Sequence, residues 1–422
     1  MARKERYLVG LDVGTSKVTA VVGEMLDGGG LDIIGIGVSE SRGIRRGVVV
    51  NLEAAVDSIK KAIEEAELMA GVEIDSVHLA LSGPHIKGFN SRGVIAVAGK
   101  NREITREDVR RAIDAAKAVS LPTGREILHV LPQDFVVDEQ DGIGAPVGMT
   151  GARLEVNVHI ISGSQSATQN IVACVNRAGA SVAETVVEQL AASESVLTED
   201  EKELGVALVE MGAGTTDLAV FHEGKIRHLG TIAFGGNNVT SDIVHGLGVT
   251  QADAERLKER WGAAYEPLYA HSDEVIALPS TGAQGDRQIK RELLAHIIHQ
   301  RMDEIFGLVN QKITQAGYAG KLSAGIVLTG GAARIQGVAE LASDVFGVGS
   351  RVGSPAANVG GLSDSVEEPR YGTVVGLALY AAQRMAQGLG GSAGAGQRGR
   401  RGSGAAMGPI VDRVKTWLQE FF

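Results

Sequence analysis

Two distant stretches of the chain repeat one pattern, and any fold for this sequence has to accommodate both. "LVGLDVGTSKVTAVV" starts at Leu8 and "ALVEMGAGTTDLAVF" at Ala207. Each reads as a buried strand, a carboxylate, a turn of Gly with Thr or Ser, and a second strand. The repeat predicts an internal duplication, with one copy opening each of two lobes. The turns suggest the chemistry. With no Cβ in the way, backbone N–H groups can point at phosphate oxygens. Two such turns facing each other across a cleft would hold one polyphosphate. The acidic residue of each, Asp12 and Glu210, could order the shell of a Mg²⁺ ion. One Gly-rich hairpin is weak evidence, because tight turns use glycine for structural reasons. The pair is the signal.

Between and beyond these hairpins, strands alternate with helices, the pattern of an α/β protein. At 422 residues the chain is long enough for two or three domains. The first-lobe core covers 1–83, with a helix from Leu52 to about Ala70 capped by Asn51 and stopped by Gly71. Residues 84–161 have a different grain and read as an inserted α+β subdomain, after which 162–204 resume the core. The second lobe spans 205–368, with a mostly helical subdomain over about 238–316. A returning helix occupies 369–386, and 387–408 form a Gly- and Ser-rich linker.

The chain closes on "GPIVDRVKTWLQEFF". On a helix, Ile410, Val411, Val414, Trp417, Leu418, Phe421 and Phe422 fall on one stripe, so 409–422 predict an amphipathic helix. The segment is too short to span a bilayer. It could dock on its own core, lie in a membrane interface, or sit in a partner's groove. Arg398, Arg400 and Arg401 just before it favour an anionic membrane surface.

Composition narrows the classes. A formal net charge of −10 argues against general nucleic-acid binding. A single cysteine, Cys174, precludes intramolecular disulfides and fits a reducing compartment, and the N-terminus runs into a strand without a signal-peptide core. "GVIAVAGKN" has one residue too many between its glycines for a P-loop, and Asn101 where Ser or Thr is needed. No G-x-G-x-x-G follows a strand into a helix, and "SGSQS" lacks the last glycine of a nucleophile elbow. The histidines show no metal-ligand spacing; His296 and His299 read as surface or core positions.

With both hairpins and "GIVLTGGAARIQG" in hand, the chain resembles the actin/chaperone/sugar-kinase ATPase superfamily, and within it the FtsA family of actin-like cell-division proteins. "RGVVVNLEAAVDSI", "LHVLPQDFVVD", "VTSDI" and "YGTVVGLALY" carry the likeness along nearly the whole chain. The resemblance implies an actin-like two-lobe fold of duplicated ribonuclease-H-like domains, with the insertion at 84–161 as the family's own subdomain. It implies ATP and Mg²⁺ as ligands. Gly14, Thr15, Ser16 and Lys17 would form the first phosphate turn, and Gly212, Gly214, Thr215 and Thr216 the second. Gly235, Gly236 and Asn237 would close over the phosphates, and Gly330, Gly331 and Ala332 would line the adenine. Glu255 and Lys258 would reach the ribose and base, although their spacing equally suits an ion pair on a solvated helix. Glu188 aligns with a water-orienting glutamine, with Gln189 beside it.

The same resemblance implies a role: an adaptor that self-associates and anchors FtsZ filaments to the cytoplasmic face of the inner membrane at the division septum. The tail would be the membrane foot, and other division proteins would be further partners. Lys290, Arg301 and Glu304 on the helix "DRQIKRELLAHIIHQRMDEIF" would grip the FtsZ C-terminal peptide. One departure stands out. The family's second hairpin usually carries aspartate where this chain has Glu210, which leaves ATP binding in place and predicts weak or no hydrolysis. The alternatives are an active ATPase or sugar kinase of the same superfamily, for which no substrate base is evident, and a pilus-type actin-like assembly protein.

Overall fold

The computed structural model describes residues 7–26, 30–99, 101–269, 273–278 and 287–386. The first lobe begins with β1 (Tyr7–Val13), β2 (Lys17–Met25) and β3 (Leu31–Glu40), a meander in which each neighbour pairs antiparallel. A short hairpin, β4 (Ile44–Arg45) and β5 (Val48–Val49), leads into α1 (Leu52–Ala70) and β6 (Ser76–Leu81). Asn51 caps α1 by accepting the Ala54 N–H, and Gly71 ends it in the left-handed region, as the sequence predicts.

The inserted segment holds β7 (Lys87–Ala96), α2 (Arg106–Lys117), β8 (Arg125–Val137), β9 (Gln140–Ile143) and β10 (Arg153–Ser164). Its four strands form a separate sheet in the order β7-β10-β8-β9, with α2 on one face. The chain then returns through α3 (Gln165–Arg177), β11 (Ser181–Val187), α4 (Glu188–Val196) and α5 (Glu199–Leu204).

The second lobe contains β12 (Val206–Met211), β13 (Thr216–His222), β14 (Lys225–Ile232), α6 (Gly236–Leu247) and α7 (Gln251–Trp261). Next come β15 (Val275–Leu278), β16 (Arg287–Lys290), α8 (Arg291–Gln315), β17 (Gly325–Thr329) and α9 (Val338–Phe346). Last are β18 (Ser350–Val352), β19 (Gly360–Gly361) and α10 (Gly372–Ala386). The stretch expected to be mostly helical thus also contains a two-stranded hairpin, β15–β16, too short and mixed in polarity to be read from its pattern.

The duplication is visible in the topology. The first sheet runs β11-β6-β1-β2-β3-β19 and the second β18-β17-β12-β13-β14. Apart from the two-residue β19, strand for strand the order and direction match: an antiparallel meander, then two parallel strands on the other side of its first strand. One apolar core runs from α1 and α3 through the first sheet and on to the facing side chains of β12, β13 and β14. A second fills the far face of the second sheet beneath α6, α7, α8 and α9.

Helix α10 brings the chain back to the first lobe, lying on the β1–β3 face and against α4. It approaches closely because two positions have no side chain. A Cβ at Gly376 would overlap the Ala191 carbonyl, and one at Gly10 would overlap that of Val374. Gly376→Ala therefore sets two effects of opposite sign against each other. Helix propensity alone would stabilise by about 0.5–1 kcal/mol. Overpacking against α4 costs about 1–3 kcal/mol. The backbone overlap should win and lower the thermal midpoint. A raised midpoint would show that α10 does not pack this tightly.

Candidate functional site

The two Gly-rich turns meet. The β1–β2 turn carries Gly14, Thr15, Ser16 and Lys17, and the β12–β13 turn carries Gly212, Gly214 and Thr215; all line one cleft. They are close enough that a Cβ on Gly214 would come within 2.8 Å of Thr15 Oγ1. The second turn is closed by Gly212 N–H donating to Thr215 O at 2.9 Å. A third turn stacks on it, with Gly236 N–H donating to Gly212 O at 2.9 Å and Asn237 N–H to Ala213 O at 2.8 Å. Gly236 and Asn237 line the cleft at the start of α6.

Two expected residues stand behind the cleft wall. Thr216 is fully buried and donates to Phe234 O at 2.9 Å, so it braces the third turn and does not face the cleft. Gly235 packs so tightly that a Cβ would sit 2.6 Å from Gly212 O; its missing side chain serves the stacking of turns. Both positions look like ligand contacts in sequence because the motif does not say which way a strand end turns.

Glu255 and Lys258 on α7 do line the cleft. Lys258 is 8% exposed. Its Nζ donates to Glu255 Oε2 at 2.8 Å, Thr240 Oγ1 at 2.8 Å and Gly236 O at 3.2 Å. That network fixes α7 to the third turn and decides against a solvated surface pair. Gly330, Gly331 and Ala332 complete this wall, with Gly330 in the left-handed region at φ +87°.

Carboxyl groups converge on the floor. Asp12, Glu188 and Glu210 line the cleft and Asp217 lies just behind. Burial raises Asp12 to about 6. Burial also raises Glu188 well above the usual range, helped by the charges of Asp217 and Glu210, and Asp217 is raised by burial. The Asp217 charge close to Glu188 favours the protonated form of Glu188. Gln189, beside Glu188, is turned away from the cleft and donates to Asp217 Oδ1 at 3.0 Å. Glu188 is therefore the residue of that pair in a position to meet a ligand.

Glu210 does something the sequence does not suggest. One carboxyl oxygen accepts from Thr373 Oγ1 near the start of α10, while Oε2 has no hydrogen-bond partner among the described residues. Burial pushes Glu210 up to about 8, against the opposing pull of the Thr373 bond. The longer side chain thus spans from β12 to the helix that returns to the first lobe.

The cleft also takes in residues the motifs miss. Ser82, Arg260, Arg334, Gln336 and Arg370 line it from four separate segments. Arg334 and Gln336 follow directly on the glycines of "GGAARIQG", which was the available signal.

On α8, Arg301 is already engaged. It ion-pairs with Asp242 of α6 through Nε at 2.5 Å and Nη2 at 3.0 Å, and with Glu304. Lys290, expected on the same helix, instead ends strand β16 just before α8, because residues 287–290 pair with β15; it is exposed and pairs with Asp273 at 3.5 Å. The stripe Ile410, Val411, Val414, Trp417, Leu418, Phe421 and Phe422 lies outside the described residues. Among the described residues no helix is long and apolar enough to cross a membrane, and no group of three or more acidic, His or Cys side chains is arranged to hold a metal by itself.

Comparison with known proteins agrees with this architecture. The family described as "SHS2 domain inserted in FTSA" matches residues 83–162, and "Cell division protein FtsA" matches 207–376. Cell division protein FtsA of Pseudomonas aeruginosa is 44% identical over 417 residues, 99% of this chain and 98% of the relative. The Escherichia coli K12 protein of that name is 41% identical over 428 residues, 100% and 99% of the two chains. Solved structures share the fold at lower identity. A PilM–PilN type IV pilus biogenesis complex gives a TM-score of 0.60 at 18% identity, covering 88% of this chain and 98% of that one. MreB5 of Spiroplasma citri bound to ADP gives 0.54 at 17%, covering 89% and 96%. The strand-for-strand duplication, the four-stranded insertion and full-length identity above 40% place this chain in the FtsA family of cell division proteins.

Proposed function

We propose that the chain binds ATP with Mg²⁺ in the cleft between its lobes, and uses the bound state to set an assembly-competent shape while tethering FtsZ filaments to the cytoplasmic membrane face. The observation that carries the nucleotide reading is the face-to-face approach of the Gly214 and Thr15 turns with the Gly236–Asn237 turn stacked on them. Two facing turns with no Cβ at Gly14, Gly212 and Gly214 let a polyphosphate approach the backbone closely, while the N–H groups of the third turn are spent on bracing the second. The carboxyl floor suits a divalent cation held through water and phosphate, since Mg²⁺ keeps much of its hydration shell. Glu210 Oε2 is buried and has no hydrogen-bond partner among the described residues, so it is a carboxyl oxygen still free to accept. Bound cation would also offset the repulsion among Asp12, Glu188 and Glu210. Support for the adaptor role comes from family membership and from the tail's apolar stripe.

The membrane reading is tested by cosedimentation with anionic vesicles, alone and with FtsZ. Deleting residues from Pro409 onward should leave a folded, nucleotide-binding protein that no longer sediments with lipid, and Trp417→Glu should nearly match it. Sedimentation undiminished by the deletion would overturn the anchor.

The peptide surface on α8 needs a variant chosen with the structure in mind. Arg301→Glu would set a carboxylate against Asp242 and Glu304 and lower stability as well as binding. Lys290→Glu changes an exposed charge without that cost. Both should weaken binding of an acidic FtsZ C-terminal peptide, with the thermal midpoint falling only for Arg301→Glu. Peptide affinity unaltered in both would move the site away from α8 and the end of β16.

Two substitutions separate the roles of Glu210. Glu210→Asp draws the carboxylate back from Thr373 to the usual family length. Phosphate release should rise while ATP affinity stays within a few-fold, because an error of about 1 Å in catalytic geometry can cost ~100-fold. Glu210→Gln copies the protonated acid. A carboxyl raised to about 8 favours the fold below its unfolded value, and that contribution is lost as pH rises through about 8. Without nucleotide or Mg²⁺, the wild-type midpoint should therefore fall more than that of Glu210→Gln between pH 6 and 8.5. Parallel curves, or an aspartate variant no faster than wild type, would remove Glu210 from this account.

A further inference from the structure

Beyond Lys258, the cleft wall continues through the C-terminal end of α7 and the segment after Gly331. There Gln336 is held by two donors. Tyr269 Oη donates to Gln336 Oε1 at 2.7 Å, and Arg291 Nη2 donates to the same oxygen at 3.2 Å. A guanidinium has no acceptor, so the amide atom facing it must be the oxygen, and the amide orientation follows from the network.

Arg291 is itself immobilised. Its guanidinium lies 4.0 Å over the Tyr269 ring and 5.6 Å from the centre of the Trp261 ring. Nη1 pairs with Glu274 at 2.9 Å, and Nε donates to Trp261 O at 3.0 Å. The Gln336 backbone is tied to the same place, its carbonyl accepting from Ala264 N–H at 2.7 Å. A flip of the amide would turn N–H groups toward a fixed cation. The other end of the amide, Nε2, donates to no protein atom among the described residues, and Gln336 lines the cleft.

We propose that Gln336 is a specificity-determining residue: its locked amide presents an N–H donor to one ring-nitrogen acceptor of a purine base bound in the cleft. The inference rests on the nucleotide reading above and adds to it the group that reads the base. Gln336 is exposed in the free protein, so its fixed donor rewards a ring-nitrogen acceptor with a hydrogen bond that an edge carrying only N–H or C–H there does not make.

The test uses the full-length chain and four ligands: ATP and its 1-deaza, 3-deaza and 7-deaza analogues, each replacing one ring nitrogen by C–H. Wild type should bind one analogue about tenfold more weakly than ATP. In Gln336→Leu, ATP should weaken to about that level and the gap between ATP and that analogue should close. Gln336→Glu keeps an acceptor for Tyr269 and Arg291 but removes the donor, and should behave the same way with its thermal midpoint preserved. A wild type that discriminates against none of the analogues, or a gap that persists in both variants, would overturn the role of Gln336 while leaving nucleotide binding standing. A wild type that binds no ATP would instead overturn the nucleotide reading, and this inference with it.

Discussion

Three buried carboxyl groups, Glu188, Glu210 and Asp217, gather where the two duplicated sheets meet, with the half-buried Asp12 beside them. Ionised together in a site shielded from water, they would repel strongly, so protons or a cation must offset them. The surrounding structure is organised around that constraint. Asp217 is held by Gln189 at 3.0 Å and Thr231 at 2.5 Å, and Glu210 by Thr373. Those partners come from α4, β14 and α10. The carboxyl cluster therefore joins elements of both lobes, and a change in its charge is felt by all of them.

Strand β14 extends this coupling. One end carries Thr231 against Asp217 and leads into the Gly235–Asn237 turn. The other end rests on the outer face of the inserted sheet. Arg227 pairs with Asp134 at 2.5 Å, Gln133 donates to Ile226 O at 2.8 Å, and a Cβ on Gly88 would reach Leu229 Cβ at 3.1 Å. The inserted subdomain, which grows out of the first lobe between β6 and α3, thus also packs on the second. It bridges the lobes on the side away from the cleft.

The segment 369–373 is the corresponding crossing on the cleft side. Thr329 Oγ1 donates to Pro369 O at 2.9 Å, Gly330 N–H to the same oxygen at 3.1 Å, and Ser195 Oγ to Gly372 O at 2.6 Å. Strand ends of the second lobe and a helix of the first grip one short stretch of backbone. Glu210 adds a side-chain grip through Thr373, which is what its extra methylene achieves here.

Much of this was legible in the linear chain. The buried-strand, carboxylate and Gly-turn pattern around Asp12 and Glu210 marked two equivalent hairpins, and Asn51 and Gly71 bounded α1, because such signals act within a few residues of themselves. Gly14, Gly212, Gly214 and Gly236 were readable as cleft residues because glycine is needed wherever backbones approach closely, and for the same reason Gly235 reads like them although it only packs the turns together. The direction in which a residue points was not readable. Thr216 and Gln189 face inward, Arg301 is drawn to Asp242 on another helix, and Gln336 is turned by Tyr269 and Arg291 from distant segments. Local pattern determined the elements, the duplication and the turns. Only the packed structure decided which side chains reach the cleft, because those orientations are set by hydrogen bonds and burial between residues far apart in the chain.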